Sequence, residues 1–193
     1  MLTTFDEFLW AIIGLLLTIN GVFIEVAVPF PSDWPIDWNQ LDLYSLGTTL
    51  QVGAVLLVSC LGGKNAGALS QIAYLVLGLS GVQVFSQGGG LSYVQEPTFG
   101  YLLGFLPGAW ICGYLAFRKP RRLEILLLSC LCGLLAIHVV GVLYLTGLSL
   151  LQLSSLSWGA SIWQYSILPL PGQLMVVFAA TLMAFVLRLI LFY

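Results

Sequence analysis

Side chains able to hold a small polar guest are gathered in one stretch of this sequence. From Phe85 to Tyr101 the chain reads Phe85-Ser86-Gln87-Gly88-Gly89-Gly90-Leu91-Ser92-Tyr93-Val94-Gln95-Glu96-Pro97-Thr98-Phe99-Gly100-Tyr101. Gly88, Gly89 and Gly90 let backbone come close to a guest or another helix, because no side chain holds it off. Gln87, Ser92, Tyr93 and Gln95 beside them supply hydrogen-bond donors and acceptors. The chemistry this allows is capture at a pocket rim. Catalysis needs converging acids, bases, nucleophiles or metal ligands, and the only histidine, His138, sits in an apolar run with no carboxylate at helical spacing. There is no phosphate-cradling Gly-Lys-Ser loop. Cys60, Cys112, Cys130 and Cys132 all lie in apolar runs and are expected to be small buried hydrophobes, not a disulfide or a metal site. Neither an enzyme nor a resident cofactor is expected.

The elements that must position this stretch are membrane helices. The 193 residues are 60% hydrophobic and 7% charged, with a mean hydropathy of +1.03, more apolar than the surface of a water-soluble domain tolerates. The chain reads as an all-α integral membrane protein with no nucleic-acid partner. Six apolar segments of about 20 residues match a bilayer core, at roughly 8–28, 43–61, 66–85, 99–117, 123–146 and 173–192. Backbone polar groups must be paired inside lipid, so helices are the expected form, in a single six-helix domain over residues 1–193. The first span lacks a basic leader and a small-residue cleavage site, and is expected to be retained. Between spans, the 29–42 loop pairs Trp34 and Trp38 with acids, as an interfacial belt or a lid. The uncharged 147–171 segment, with Trp158, Trp163 and Tyr165, is expected to form a short interfacial helix over the outer end.

Charge sets the orientation. Lys64, the Arg118–Arg122 cluster and Arg188 fall on one side if the spans alternate, while Glu25, Asp33, Asp37, Asp42 and Glu96 fall on the other. The positive-inside rule places both termini in the cytoplasm and the glycine-rich stretch outside. Spans 2, 4 and 6 then begin at the outer face, where helix N-termini present unpaired N–H groups and partial positive charge. Thr48 and Thr49 lie at the start of span 2, Thr98 at the N-cap of span 4, and Gly172-Gln173 at the start of span 6. If convergent, these ends suit an anionic head group without a lysine. Gly100, Gly104 and Gly108 form a groove along span 4 for close helix packing.

Several ordered pieces carry a resemblance: Thr49-Leu50-Gln51, Tyr74-Leu75-x-Leu77-Gly78, Val84-Phe85, Gly88-Gly89-Gly90-Leu91, Pro97-Thr98-Phe99-Gly100-Tyr101-Leu102-Leu103-Gly104-Phe105 and Leu168-Pro169-Leu170-Pro171-Gly172. From about Thr48 to Leu174 the chain resembles the BioY family, biotin-binding S components of energy-coupling factor (ECF) vitamin transporters. The resemblance implies an ECF S-component-like bundle of six transmembrane helices, N-in and C-in, in a prokaryotic plasma membrane. It also implies a vitamin pocket at the outer face and a partner module of one membrane coupling protein and two ATPases. The residues it points to are Gly88, Gly89, Gly90, Tyr93, Thr98, Tyr101, Gln173, Phe85 and Gln51, with Phe85 and Tyr101 as apolar walls and the polar groups fixing the head. The chain departs from the family's PGD and a lysine three residues later, having Gln173 and Val176 instead. Loss of both charges leaves the site neutral, whereas loss of one would strand the other in a low-dielectric pocket. Two alternatives stand beside biotin capture: an S component for a related vitamin with a neutral tail, and a membrane subunit that only packs against other helices.

Overall fold

The computed structural model describes residues 3–31, 41–118, 122–152 and 157–191. Trp34, Trp38, Ser154, Ser155 and the Lys119–Arg121 part of the basic cluster lie outside them. Helix α1 (Thr4–Phe23) opens with a capping box: the Asp6 N–H donates to Thr3 Oγ1 and the Thr3 N–H donates to the Asp6 carboxylate, so two orphan donors at the helix start are satisfied.

Two strands follow where the hydropathy pattern predicts helix. β1 (Glu25–Pro31) and β2 (Leu41–Thr49) pair antiparallel, with Ala27 opposite Ser45 and Val28 opposite Tyr44. The Glu25 carboxylate accepts from the Ser45 hydroxyl, which gives that acid a local role in the hairpin. The expected spans at 8–28 and 43–61 are therefore corrected: α1 stops at Phe23 and the next helix, α2 (Gln51–Leu79), starts at Gln51. The reason is local. Pro29 has no N–H and clashes with the preceding helical turn, while Val26 and Val28 alternate with Glu25 and Ala27 at the period of a strand.

Helix α2 is bent back on itself at Gly63, whose φ of 81° and ψ of −178° lie in a region open only to glycine. The Gln51 amide donates to the Tyr74 hydroxyl at 2.8 Å, although a straight helix would hold residues 23 apart at a separation of about 34 Å. The two arms, on either side of Gly63, take the places expected of spans 2 and 3. The remaining long elements are α3 (Phe99–Arg118), α4 (Leu123–Leu150) and α6 (Leu170–Leu191). Among the described residues, five helical stretches are long and apolar enough to cross a membrane, with α2 counted as one.

The glycine groove of α3 is filled by α4. A Cβ on Gly104 would lie 2.7 Å from the Ile137 carbonyl oxygen, and one on Gly100 would lie 2.3 Å from Tyr144 Cβ. The segment expected as a separate interfacial cap instead runs into α6. Helix α5 (Trp158–Ile162) passes through a π turn (Trp163–Ile167) and a short turn into α6, linked by Leu168 N–H to Trp163 O and Gln173 N–H to Pro169 O, both 2.9 Å. Continuity is the cheaper solution for a segment without charges, since every helical backbone group then finds a partner in apolar surroundings.

Lys64, Arg118 and Arg188 gather at one end. Lys64 sits over the stacked rings of Trp110 and Tyr114, Arg118 over Tyr114, and Arg188 over Phe117 while donating to Ala116 O. Asn65 donates to Glu7 near the start of α1. The first turn of α1 and the last turn of α6 thus share the end that holds Lys64.

Candidate functional site

The opposite end carries the glycine-rich loop. Phe85 and Gly88 exchange two backbone hydrogen bonds at 3.0 and 3.1 Å, and the Gly90 N–H donates to Gly78 O at 2.7 Å. Gly88 and Gly90 adopt φ of 111° and 100°, values that favour glycine. At Gly89 a Cβ would lie 2.3 Å from Val82 O, so this glycine packs against the end of α2. Gly88 and Gly90 have nothing within 4 Å of that position and leave the rim open.

Behind the loop stands a row of rings. Phe85 lies over Gly78, and the ring centroids run Tyr74–Phe85 5.2 Å, Phe85–Tyr93 4.7 Å, Tyr93–Phe99 6.3 Å and Phe99–Tyr144 5.9 Å. Their hydroxyls are fixed from behind: Tyr74 accepts from Gln51 and donates to Val84 O, and Tyr93 bonds Ser86 and Thr98. Thr98 uses its hydroxyl on Tyr93, while its carbonyl accepts from the Tyr101 and Leu102 N–H groups at the start of α3.

A second polar cluster joins α3, α4 and the α5–α6 rod. His138 Nε2 and Gln173 Oε1 are 2.7 Å apart, the Tyr101 ring meets the His138 ring edge-on at 5.8 Å, and the Tyr101 hydroxyl bonds Ser166. Gly141 leaves the space that the Tyr101 ring occupies. The π turn directs Ser166 inward, where it is buried, while Trp163 and Ile167 stay exposed; π turns inside helices recur at functional sites. Between α4 and this turn lies a groove of about 410 Å3 lined by His138, Val139, Val142, Leu143, Ser166, Ile167 and Leu170. Its size falls within the range for small-molecule sites; its walls are almost wholly apolar, and of the second cluster only His138 and Ser166 line it.

The predicted helix starts come together. Gly172 touches Thr48, just before α2, and Gln173 reaches α3 through His138 and Tyr101. Their N–H groups are less available than expected, because α5 and the π turn precede α6 and the Gln173 N–H is already bonded to Pro169 O. The polar groups left at this end are therefore mainly side chains. None of Gln51, Tyr74, Tyr93, Thr98, Tyr101, His138, Ser166 or Gln173 is an acid, a lysine or an arginine. Val176, where the resemblance expects a lysine, is buried against Gly53.

Among the nine residues predicted from sequence, Phe85, Tyr93 and Thr98 fall in the ring row with Gln51 at its end, Tyr101 and Gln173 in the second cluster, and the glycines in the loop. Sequence reasoning passed over Tyr74, His138 and Ser166 as site residues. His138 has one readable signal, as the single histidine of the sequence set deep in an apolar run, but its partner is 35 residues away and is supplied by the fold. Its other ring nitrogen, Nδ1, is buried without a partner among the described residues.

Comparison with known proteins gives a consistent result. The BioY family profile matches residues 2–191. The chain is 37% identical over 131 residues to the probable biotin transporter BioY of Lysinibacillus sphaericus, covering 67% of this chain and 59% of that protein. It is 38% identical over 109 residues to the biotin transporter BioY of Thermotoga maritima, covering 56% and 64%. Over 183 residues it is 31% identical to an uncharacterized 21.2 kDa protein of Cyanophora paradoxa, covering 95% of each. In fold it is similar to the crystal structure of an S-component for biotin from an ECF-type ABC transporter, with a TM-score of 0.67, 18% identity, and coverage of 97% and 95%.

Proposed function

The chain belongs to the BioY family, and from that premise we infer that it is a biotin-capturing S component of an ECF transporter, a multi-pass membrane protein and not an enzyme. The observation that carries the site assignment is the meeting of Gln173, His138 and Tyr101 beside an apolar groove. In this reading the ureido head of biotin exchanges hydrogen bonds with Gln173 and His138, because an amide and an imidazole each donate and accept. Phe85 and Tyr101 form apolar walls, Gln51, Tyr93 and Thr98 hold the ring row in place, and Gly88 to Gly90 shape the rim.

Counting the two arms of α2 separately gives six spans in one domain. The basic end is then cytoplasmic with both termini, and the site opens outward. The coupling membrane protein and ATPases would meet the chain from the inner side and drive release, in a prokaryotic plasma membrane. The exposed apolar face of α1, including Phe8, Ile12 and Leu16, suits lipid or a partner helix equally well.

Absence of a cation among the site residues favours a second reading, a ligand whose tail is neutral. Competition between tritiated biotin and unlabelled biotin or biotin methyl ester on the purified protein separates the two. Biotin capture predicts displacement by biotin, with the ester about as effective because no fixed positive charge answers the carboxylate. Failure of unlabelled biotin to displace the label would overturn the assignment, and displacement by the ester far better than the acid would favour the neutral-tailed vitamin.

A further inference from the structure

Cys60 on the first arm of α2, Cys112 on α3 and Cys130 on α4 point their thiols at one spot in the core. Their sulfurs are 3.6, 3.5 and 3.9 Å apart, and all three residues are fully buried. They come from three helices and are separated by as many as 70 residues, so the convergence is a product of the fold. A point equidistant from the three sulfurs lies about 2.1 Å from each, against about 2.3 Å for a metal–thiolate bond. Outward movement of about 0.2 Å per thiol would complete trigonal sulfur coordination. We propose that Cys60, Cys112 and Cys130 form a three-sulfur site for one soft, thiophilic metal ion, with Cu(I) the favoured occupant.

Ligand type and number both point that way. Thiolates select soft ions such as Cu(I), and Zn(II) in structural sites takes four ligands. The hydroxyl of Thr181, on α6, donates to Val177 O within its own helix. On binding, the ion displaces the thiol protons, which pass to solvent, and no redox change is involved. Three thiolates around Cu(I) leave excess negative charge. Arg188, buried and donating its Nη1 to Ala116 O one helical turn from Cys112, places one positive charge at the same end of the bundle and offsets part of that excess. The fourth cysteine, Cys132, is only partly buried and is outside this group. The triangle is separate from the groove, since Cys130 and His138 are eight residues apart on α4, about 12 Å. The proposal does not depend on the biotin reading. Its consequence is a metal staple joining α2, α3 and α4 near the basic end.

The test uses the full chain purified in detergent, reduced and anaerobic, titrated with Cu(I) in competition with a chromophoric Cu(I) chelator. The expected result is one ion bound per chain, with ultraviolet thiolate-to-metal absorption, retained in Cys132→Ala and lost in Cys112→Ala. Because Cys112→Ala also opens space in the core, X-ray absorption on the Cu(I)-loaded unmutated protein provides an independent readout, expected to show three sulfur neighbours at about 2.3 Å. Absence of stoichiometric binding, equal loss in Cys132→Ala, retention in Cys112→Ala, or fewer than three sulfur neighbours would each overturn the proposal and leave the thiols as core packing.

Discussion

Tyr74 shows how a single side chain supports the site without touching the groove. Its hydroxyl accepts from Gln51 on one arm of α2 and donates to Val84 O at the start of the glycine-rich loop, and its ring supports Phe85. Tyr74→Phe keeps the ring and removes both bonds, leaving a buried amide and a buried carbonyl each short of a partner. The expected loss is about 1–3 kcal/mol of stability, read as a lower melting temperature in detergent; an unchanged melting curve would contradict this role. At this scale the sequence was partly legible. Tyr93 stood out as a polar group beside the three glycines, and Thr98 and Gln173 as polar groups at predicted helix starts, whereas Tyr74 and His138 owe their roles to partners 23 and 35 residues away. No local pattern encodes such distances.

Helices were legible where hydropathy alone decides, as in α3 and α4, because lipid forces any long apolar run to pair its own backbone. The hairpin was not. Residues 24–28 and 43–46 are as apolar as the helices they border, and only Pro29 and the alternation of Val26 and Val28 betray strands. The glycine spacing of α3 was a sound guide to packing, and its energetic content can be checked. At Gly104 a side chain would meet the backbone of Ile137, which cannot yield as a flexible side chain can, whereas Gly147 on α4 has nothing within 4 Å of its Cβ position. Gly104→Val is therefore expected to cost about 1–3 kcal/mol or more through overpacking. Gly147→Ala should be neutral or should stabilise by up to about 1 kcal/mol. Thermal unfolding of the two variants side by side tests this, and equal behaviour would contradict the packing account.

Across the whole molecule, the ends differ in chemistry. Lys64, Arg118 and Arg188 lie among aromatic rings at one end, while neutral dipoles and the open glycine rim occupy the other. The sidedness proposed from the charge distribution is testable with an impermeant thiol reagent on intact cells. Leu91→Cys, at an exposed position in the loop, should label from outside, and Asn65→Cys, exposed beside the Gly63 reversal, should label only after the cells are opened. The reverse pattern would place the rim in the cytoplasm and contradict uptake from outside. The central claim is narrower than topology: a cluster of uncharged dipoles around Gln173 captures biotin. Equilibrium binding of radiolabelled biotin to the purified chain, with Gln173→Ala measured in parallel, tests it most directly. The account predicts saturable binding at one site per chain, weakened about 5- to 150-fold by the substitution, the equivalent of leaving a buried polar group unpaired at about 1–3 kcal/mol. No saturable binding, or identical isotherms for the two proteins, would contradict it.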